Sequence, residues 1–274
     1  MNFIKCFFIT ILLFNYSIIF SQIKLEEIEL PKKIKETSGL EYIGDNFITH
    51  NDSGDDPKLY EFNHKGELLK FTRLYSIINR DWEDITFDGE KYYIADVGNN
   101  YATRKNLTIY IIDKKLNLTD SIKIKYKNQK SFNYLKSNSF DAEALLSIGD
   151  SLAIFSKNRK NLSTEVYVFP KKPGNYELKP LISLSVNSLI TGGDYNEKYK
   201  LLALSGYDMD LEEQYIFVFN NFNLKNINSL KYINYKLPIR DAQIEAIKII
   251  DNQSFWLTSE SEGFGYPKLI KITL

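Results

Sequence analysis

Asp81-Trp82-Glu83-Asp84-Ile85 recurs in outline at Asp141-Ala142-Glu143-Ala144-Leu145 and again at Gln243-Ile244-Glu245-Ala246-Ile247. In each stretch a Glu is followed two positions on by an aliphatic residue. A turn-forming pair comes soon after: Asp88-Gly89, Gly149-Asp150 and Asp251-Asn252. Ser38-Gly39-Leu40-Glu41-Tyr42 and Thr191-Gly192-Gly193-Asp194-Tyr195 fit the same frame, with a hydroxyl residue where the Glu stands. One unit used five times predicts a circular array, each copy sending one oxygen-bearing residue to a common centre.

Outward from these anchors, each copy reads as short strands joined by turns. The first runs through residues 38–42, 47–50, 59–62 and 68–74, and the second through 83–87, 92–95, 107–112 and 122–126. The third reads 143–148, 152–155, 166–169 and 178–184, and the fourth 191–195, 201–204, 215–219 and 230–235. The fifth has only 245–250, 255–258 and 269–272, one strand short. A ring must close, because an open sheet edge invites aggregation. The spare alternating stretch 23–30, ended by Pro31, can fill the vacancy. The expected fold is therefore all-β, a five-bladed β-propeller whose N-terminal strand completes the last blade, with six blades or a sandwich as the alternative. The anchors are 45, 60, 48 and 54 residues apart, close to the roughly 40–50 residues of propeller repeats. A 14% aromatic content, with 19 Tyr and 18 Phe, suits strands.

Composition narrows the function classes. Residues 1–21 read as an export signal: Lys5, an apolar run over 6–20, and the small Ser21. Thr10, Asn15 and Ser17 interrupt that run, which is shorter than the ~20 residues of a spanning helix. An uncleaved anchor is the alternative. Cys6, the sole cysteine, stands at the start of the apolar run, whereas a lipidated Cys would follow it, which argues against lipidation, and the remaining chain has no thiol. Residues 22–274 are expected to form one propeller domain, exported and monomeric. With 35 basic and 35 acidic residues, neither nucleic acid nor, once the signal is cleaved, a membrane is an expected partner. Two histidines, His50 and His64, leave no His/Cys zinc site, and no organic cofactor is expected.

In a propeller the first strands line the channel and the second strands return to the same mouth. Ser38, Glu83, Glu143, Thr191 and Glu245 should meet there, beside the second-strand ends Asn51-Asp52, Asp96, Ser156-Lys157, Ser205 and Ser259-Glu260. Asn99, Arg104 and Arg159 follow on the loops. Carboxylates this close cannot all ionise unaided. One remedy is a hard cation, and an all-oxygen ligand set of the three Glu with Ser38 and Thr191 favours Ca²⁺. The other is an internal ion pair with Lys157, Arg159 or Arg104. Several residues carry plainer expectations: Trp82 as core between blades, Glu41 and Asp194 in turns, residues 51–55 as an Asx-rich turn, and the basic loop 127–136 as a solvated insertion.

His50-Asn51-Asp52-Ser53-Gly54-Asp55, Asp81-Trp82-Glu83-Asp84-Ile85, Asp96-Val97-Gly98-Asn99-Asn100 with Arg104, Asp141-Ala142-Glu143-Ala144-Leu145 and Ser156-Lys157 resemble a group of exported bacterial β-propeller proteins. That resemblance covers most of residues 37–170 and implies fold and export, but no activity. More distantly, the cyclic order of Ser38, Glu83, Glu143, Thr191 and Glu245 resembles the calcium-activated nucleotidases (apyrases). Those are five-bladed propellers with three Glu and two Ser around an axial Ca²⁺, and Thr191 departs from that pattern. The esterase-like phytase propellers are a comparably distant likeness.

Three functions follow as expectations. The first is a metal-dependent phosphoester or phosphoanhydride hydrolase acting on a small phosphorylated molecule. In it Asp52 or Asp96 orients water, Lys157, Arg159 and Arg104 balance charge, and Asn51, Asn99 and Glu260 contact substrate. The second is a non-catalytic ligand- or protein-binding propeller with a structural ion. The third is a glycosidase using central carboxylates ~5.5 Å or ~6.5–9.5 Å apart.

Overall fold

β-Branched and aromatic side chains crowd each expected strand, and short Gly-, Asp- and Asn-bearing turns separate them, so the chain folds as successive hairpins. The computed structural model describes residues 23–229, 231–240, 242–261 and 265–274; the expected export signal, residues 1–21, lies outside them. The chain opens with β1 (Lys24–Glu29). The first blade is β2 (Thr37–Ile43), β3 (Asn46–Asn51), β4 (Lys58–Phe62) and β5 (Leu68–Arg73). The second is β6 (Trp82–Phe87), β7 (Lys91–Asp96), β8 (Leu107–Asp113) and β9 (Leu118–Tyr126). The third begins with β10 (Ala142–Ile148), β11 (Ser151–Ser156) and β12 (Ser163–Pro170); β13 (Gly174–Leu178) intervenes before its outer strand, β14 (Ile182–Ser185). The fourth is β15 (Leu189–Asn196), β16 (Leu201–Tyr207), β17 (Gln214–Phe219) and β18 (Ile233–Lys236), and the fifth is β19 (Ile244–Ile249), β20 (Ser254–Ser259) and β21 (Lys268–Thr273) with β1 outside it. The inner strands β2, β6, β10, β15 and β19 lie each against the next, and β19 returns to β2. The fold is a five-bladed β-propeller.

Five apolar clusters fill the five interfaces between blades. Ile48 and Leu59 meet Trp82 and Ile94 between the first and second blades, which makes Trp82 core. Ile109 and Ile124 meet Leu145, Phe155 and Phe217 interlock, Ile216 meets Leu257, and Phe47 and Phe62 meet Leu269 across the last interface. Blades buried on both faces explain why the second strands β7, β11 and β16 carry the apolar runs 92–95, 152–155 and 201–204.

Of the outer strand expected over 178–184, residues 182–184 lie in β14, while Leu178 ends a separate strand, β13, on another blade. β14 pairs with β12, whereas β13 pairs in parallel with β9, from Gly174↔Ile122 to Leu178↔Tyr126. Pro180 lies between them and has no N–H to continue a ladder. The outer strand of the fourth blade also starts later than expected, after a 3₁₀ segment at Leu224–Ser229.

Closure comes from the N-terminal strand. β1 pairs antiparallel with β21 from Lys24↔Thr273 to Glu29↔Lys268. The Leu30 N–H then donates to the Pro267 carbonyl at 2.7 Å, and Leu30 and Ile34 pack into the cluster of the last interface. Removing residues 1–30 should lower the unfolding midpoint by more than ~5 °C and promote self-association through the bared edge of β21. An unchanged melt and a monodisperse truncated protein would show that the ring does not depend on this latch.

Candidate functional site

A β-bulge, at the same place in four blades and displaced past the anchor in the first, directs the anchors. Trp82 pairs with Asp96 and Asp84 with Ala95, which leaves Glu83 as the extra residue. Glu143, Thr191 and Glu245 are extra in the same way. In the first blade the irregularity falls between Ser38 and Glu41, where Gly39 takes φ +72° and presses against the backbone of Asp84 and Ile85. A bulge re-aims one side chain and frees it from the alternation of the sheet. A second repeated feature closes the mouth loops of four blades. The carbonyls of Glu36, Asp81, Asp141 and Gln243 accept from the N–H groups of Asp52 (2.8 Å), Gly98 (3.2 Å), Lys157 (2.6 Å) and Glu260 (3.0 Å). Asp52, Lys157 and Glu260 thus occupy equivalent places around the mouth. In the second blade that place is Gly98, where any Cβ would collide with the carboxylates of Glu83 and Asp81.

The outcome is a cluster of acids from three blades. Asp52, Asp81 and Glu83 each present an oxygen within 4.8 Å of the others, and so do Glu83, Asp141 and Glu143. The two halves differ in charge balance. On one side Lys157 Nζ lies 3.2 Å from Glu143, both nearly fully buried, and 5.1 Å from the Tyr207 ring centroid. Asp141 forms an ion pair with Arg159 and accepts the Asn99 N–H at 2.6 Å. The Gln243 side-chain amide donates to Glu245. On the other side Arg104 is committed to Asp96 at 2.6 Å and to the Gly98 carbonyl at 2.7 Å, and comes only to 3.8 Å from Asp81. Glu83 Oε1 and Asp52 Oδ1 are buried and have no hydrogen-bond partner among the described residues.

The acids therefore hold their protons unusually tightly. Burial, then Glu143, Asp52 and Asp81, push Glu83 well above the usual carboxylate range. Burial, then Asp81, Glu143 and Glu245, do the same to Asp52. Asp81 is pushed up to about 7 by burial and by Asp141, against the pull of Arg104. Burial draws the Lys157 ammonium down, but Glu143, Tyr207 and Glu245 outweigh it, so Lys157 stays charged.

The structure gathers Asp52, Glu83, Glu143 and Lys157 into this cluster and brings Arg104 and Arg159 to its edge. Other expected residues have their polar atoms engaged elsewhere. Ser38 Oγ donates to the Glu83 carbonyl and Thr191 Oγ1 to the Ile244 carbonyl at 2.6 Å, each tying its blade to the next. The Asn51 amide bonds the Lys33 carbonyl (2.9 Å) and Asp55 (2.8 Å) inside an Asx-rich loop. Asn99 holds the Phe140 carbonyl (3.1 Å) and the Arg104 N–H (2.9 Å). Asp96 is buried between Arg104 and Tyr110. Glu260 is half-buried at the equivalent place in the fifth blade. The expectation overlooked Asp81, Asp141 and Asn79. The first two were signalled by the repeated Asp-X-Glu spacing. Asn79, whose amide binds the Asn51 (3.0 Å) and Asp52 (2.6 Å) carbonyls and so positions Asp52, carried no such signal.

Deeper in the ring a second charged cluster ties three inner strands together. Lys248 Nζ lies 2.7 Å from Glu41 and 2.9 Å from Asp194. Glu41 also accepts the Phe87 N–H (3.0 Å), Asp194 the Ile249 N–H (2.9 Å), and Asp84 the Leu145 N–H (2.7 Å). Glu41 and Asp194 are thus braces between blades rather than turn residues.

Fold and site together define a β-propeller with an acidic mouth whose residues could hold a metal ion. No protein-family model matches the chain, and no curated protein matches it. Among solved structures it is similar to a PQQ-bound aldose sugar dehydrogenase from Streptomyces coelicolor, with a TM-score of 0.54 at 9% identity over 92% of this chain and 98% of that one. It is also similar to a protein described as an oxidoreductase (glucose dehydrogenase) from Thermus thermophilus, with a TM-score of 0.47 at 11% identity over 92% and 100% of the two chains. At such identities the likeness concerns fold alone, and the first of these supports the propeller. Among the described residues no helix is long and apolar enough to cross a membrane.

Proposed function

We propose that the protein is an exported propeller whose mouth binds Ca²⁺ beside Asp52, Asp81 and Glu83 and hydrolyses phosphate esters or anhydrides of small molecules. The observation that carries this reading is the buried, unpartnered Glu83 Oε1 next to two further carboxylates with raised pKa values. Such an arrangement is costly unless a cation completes it. The donors are all oxygens, as a hard cation requires. Their mutual distances, all within 4.8 Å, are compatible with opposite ligands on an ion with bonds of about 2.3–2.6 Å. The neighbouring Asp141 and Glu143 already have Arg159 and Lys157, so the demand for a cation is sharpest on the Asp52–Asp81–Glu83 side. Bound Ca²⁺ would polarise a phosphoryl oxygen. Arg104 borders the adjoining cleft and would counter the charge of a phosphate. Asp52, held by Asn79, would orient the attacking water. Lys157 would keep the axial acids from repelling an anionic substrate. The motif resemblance to exported propellers supports the assignment to the cell exterior.

Purified protein should release phosphate from members of a panel of nucleotides and sugar phosphates in Ca²⁺, and chelator should remove at least nine-tenths of that activity. Asp52→Asn should reduce it by roughly 10²-fold or more, the scale of a lost general base. Absence of Ca²⁺-dependent release from every compound would leave the second reading, a binding propeller with a structural ion. The capture of Asp96 by Arg104 and Tyr110 favours that alternative, since it removes one expected base from the mouth.

A further inference from the structure

The cleft beside Asp81 and Arg104 has a volume of about 500 Å³, and Tyr101 lines it together with Ser53, Asn99, Asn100 and Thr103. Tyr101 is 47% exposed, and the 67% exposed Tyr134 stacks behind it, with centroids 4.6 Å apart and planes 19° apart. Two aromatic rings left in water are ordinarily mobile. Here the backbone around them is fixed from within. The Leu135 N–H donates to the Tyr101 carbonyl at 2.9 Å. The buried Gln129 amide holds the Ala102 carbonyl at 2.7 Å, and the buried Asn138 amide holds the Asn100 carbonyl at 2.8 Å. Arg159, already paired with Asp141, also binds Asn100 Oδ1 at 2.8 Å. The loop that carries Tyr101 is therefore tied both to loop 127–141 and to the acid cluster. A rigid exposed ring with one face backed presents a binding surface at little cost in side-chain entropy.

We propose that Tyr101, backed by Tyr134, is the stacking wall for a ring carried by the ligand, so that the substrate class is the phosphate ester of a ring-bearing alcohol rather than an acyclic one. The proposal rests on the phosphate reading above and adds what holds the rest of the molecule. The same cleft is lined by Arg104, a partner for an anion, and by Tyr101, a partner for the face of a ring. Its volume lies within the roughly 300–1,000 Å³ of small-ligand sites. A sugar would pack its C–H face on the tyrosine and an aryl group its π face, and the experiment separates them.

Binding of glucose 1-phosphate, phenyl phosphate and glycerol phosphate is measured by calorimetry in saturating Ca²⁺, for the wild-type protein and for Tyr101→Ala and Tyr101→Phe. The wild type should bind at least one ring ester about 10-fold tighter than glycerol phosphate. Tyr101→Ala should weaken the ring esters about fivefold while leaving glycerol phosphate unchanged, and Tyr101→Phe should restore them, as expected for aromatic stacking. The preferred ring ester identifies sugar or aryl. Equal wild-type affinity for ring and acyclic esters, no binding of any of the three, or a uniform loss in Tyr101→Ala overturns the proposal. If free glucose or phenol binds as tightly as its phosphate and with the same dependence on Tyr101, the stacking wall stands and the phosphate reading falls.

Discussion

Replacing Lys248 with Met should lower the unfolding midpoint by roughly 10 °C, the effect of losing about 3–5 kcal/mol from a domain of this size. The ammonium sits 2.7 Å from Glu41 and 2.9 Å from Asp194 in the interior of the ring. Burial alone would draw the Lys248 pKa down, but Asp194 and Glu41 together hold it above its ordinary value. Methionine fills a similar volume but leaves two buried carboxylates with no counter-charge, one on β2 and one on β15. Burial already pushes Glu41 upward, and Lys248 is the main opposing influence. Both acids also receive backbone N–H groups of neighbouring blades, Phe87 for Glu41 and Ile249 for Asp194. Protonating or displacing them therefore weakens the ring itself. Combining Lys248→Met with Glu41→Gln and Asp194→Asn should recover most of the loss, because amides keep an acceptor oxygen and shed the charge. Circular-dichroism melts of the single and triple variants decide the matter. A single variant that melts with the wild type would mean that the cluster contributes no net stability.

The sequence displayed the ring because its repeat is defined by residue type and spacing. Each anchor had to be oxygen-bearing and followed by an aliphatic residue, and the vacant strand of the last blade matched a spare strand at the other end. The bulge was hidden, since Glu83 sits among Asp81, Trp82 and Asp84 with no residue that announces an extra position in the ladder. Without the bulge, the hydroxyls of Ser38 and Thr191 were indistinguishable from ion ligands. With the register known, they are donors to the carbonyls of the next blade. Likewise Glu41 and Asp194 looked like turn residues, because their partner Lys248 lies far away in sequence and no local pattern connects them. β13 leaves its expected blade for a similar reason: Pro180 marks a break in a strand but cannot say where the freed strand will pair.

The asymmetry of the acid cluster is the main physical fact about the mouth. Asp141 and Glu143 obtain cations from residues 157–159 of their own blade. Asp81 and Glu83 have Gly98 at the position equivalent to Lys157, and their nearest guanidinium, Arg104, is turned toward Asp96. The second blade thus trades a built-in cation for a glycine against which its two carboxylates pack. That arrangement suits an exchangeable ion.

Calcium should therefore stabilise the protein, and more so as pH rises. A carboxylate whose pKa is raised by folding keeps its proton in the native chain after the unfolded chain has lost its own. Asp81, pushed up to about 7 from an ordinary value of 3.8, thus costs the metal-free protein stability as pH climbs between those limits, and Asp52 and Glu83 act in the same direction. Cation binding requires the deprotonated forms and releases their protons, so its apparent affinity grows over the same window. His50 works oppositely: burial lowers its pKa to about 4, so stability falls as pH drops from its unfolded value of 6.5 toward 4. The calcium-dependent difference, not the metal-free profile, is accordingly the quantity to read. At calcium about 100-fold above the dissociation constant the gain is about 2.7 kcal/mol, a rise of roughly 5–10 °C in midpoint for a domain of this size. It should be nearly full at pH 8 and largely lost at pH 5. Glu83→Gln should separate the two effects. By removing one of the crowded charges it should leave the metal-free protein at pH 8 as stable as the wild type or more so, while cutting the calcium gain to less than a third. Melts with calcium and with chelator at both pH values test this. A calcium response that is absent in the wild type, or that survives intact in Glu83→Gln, would remove the ion from the mouth.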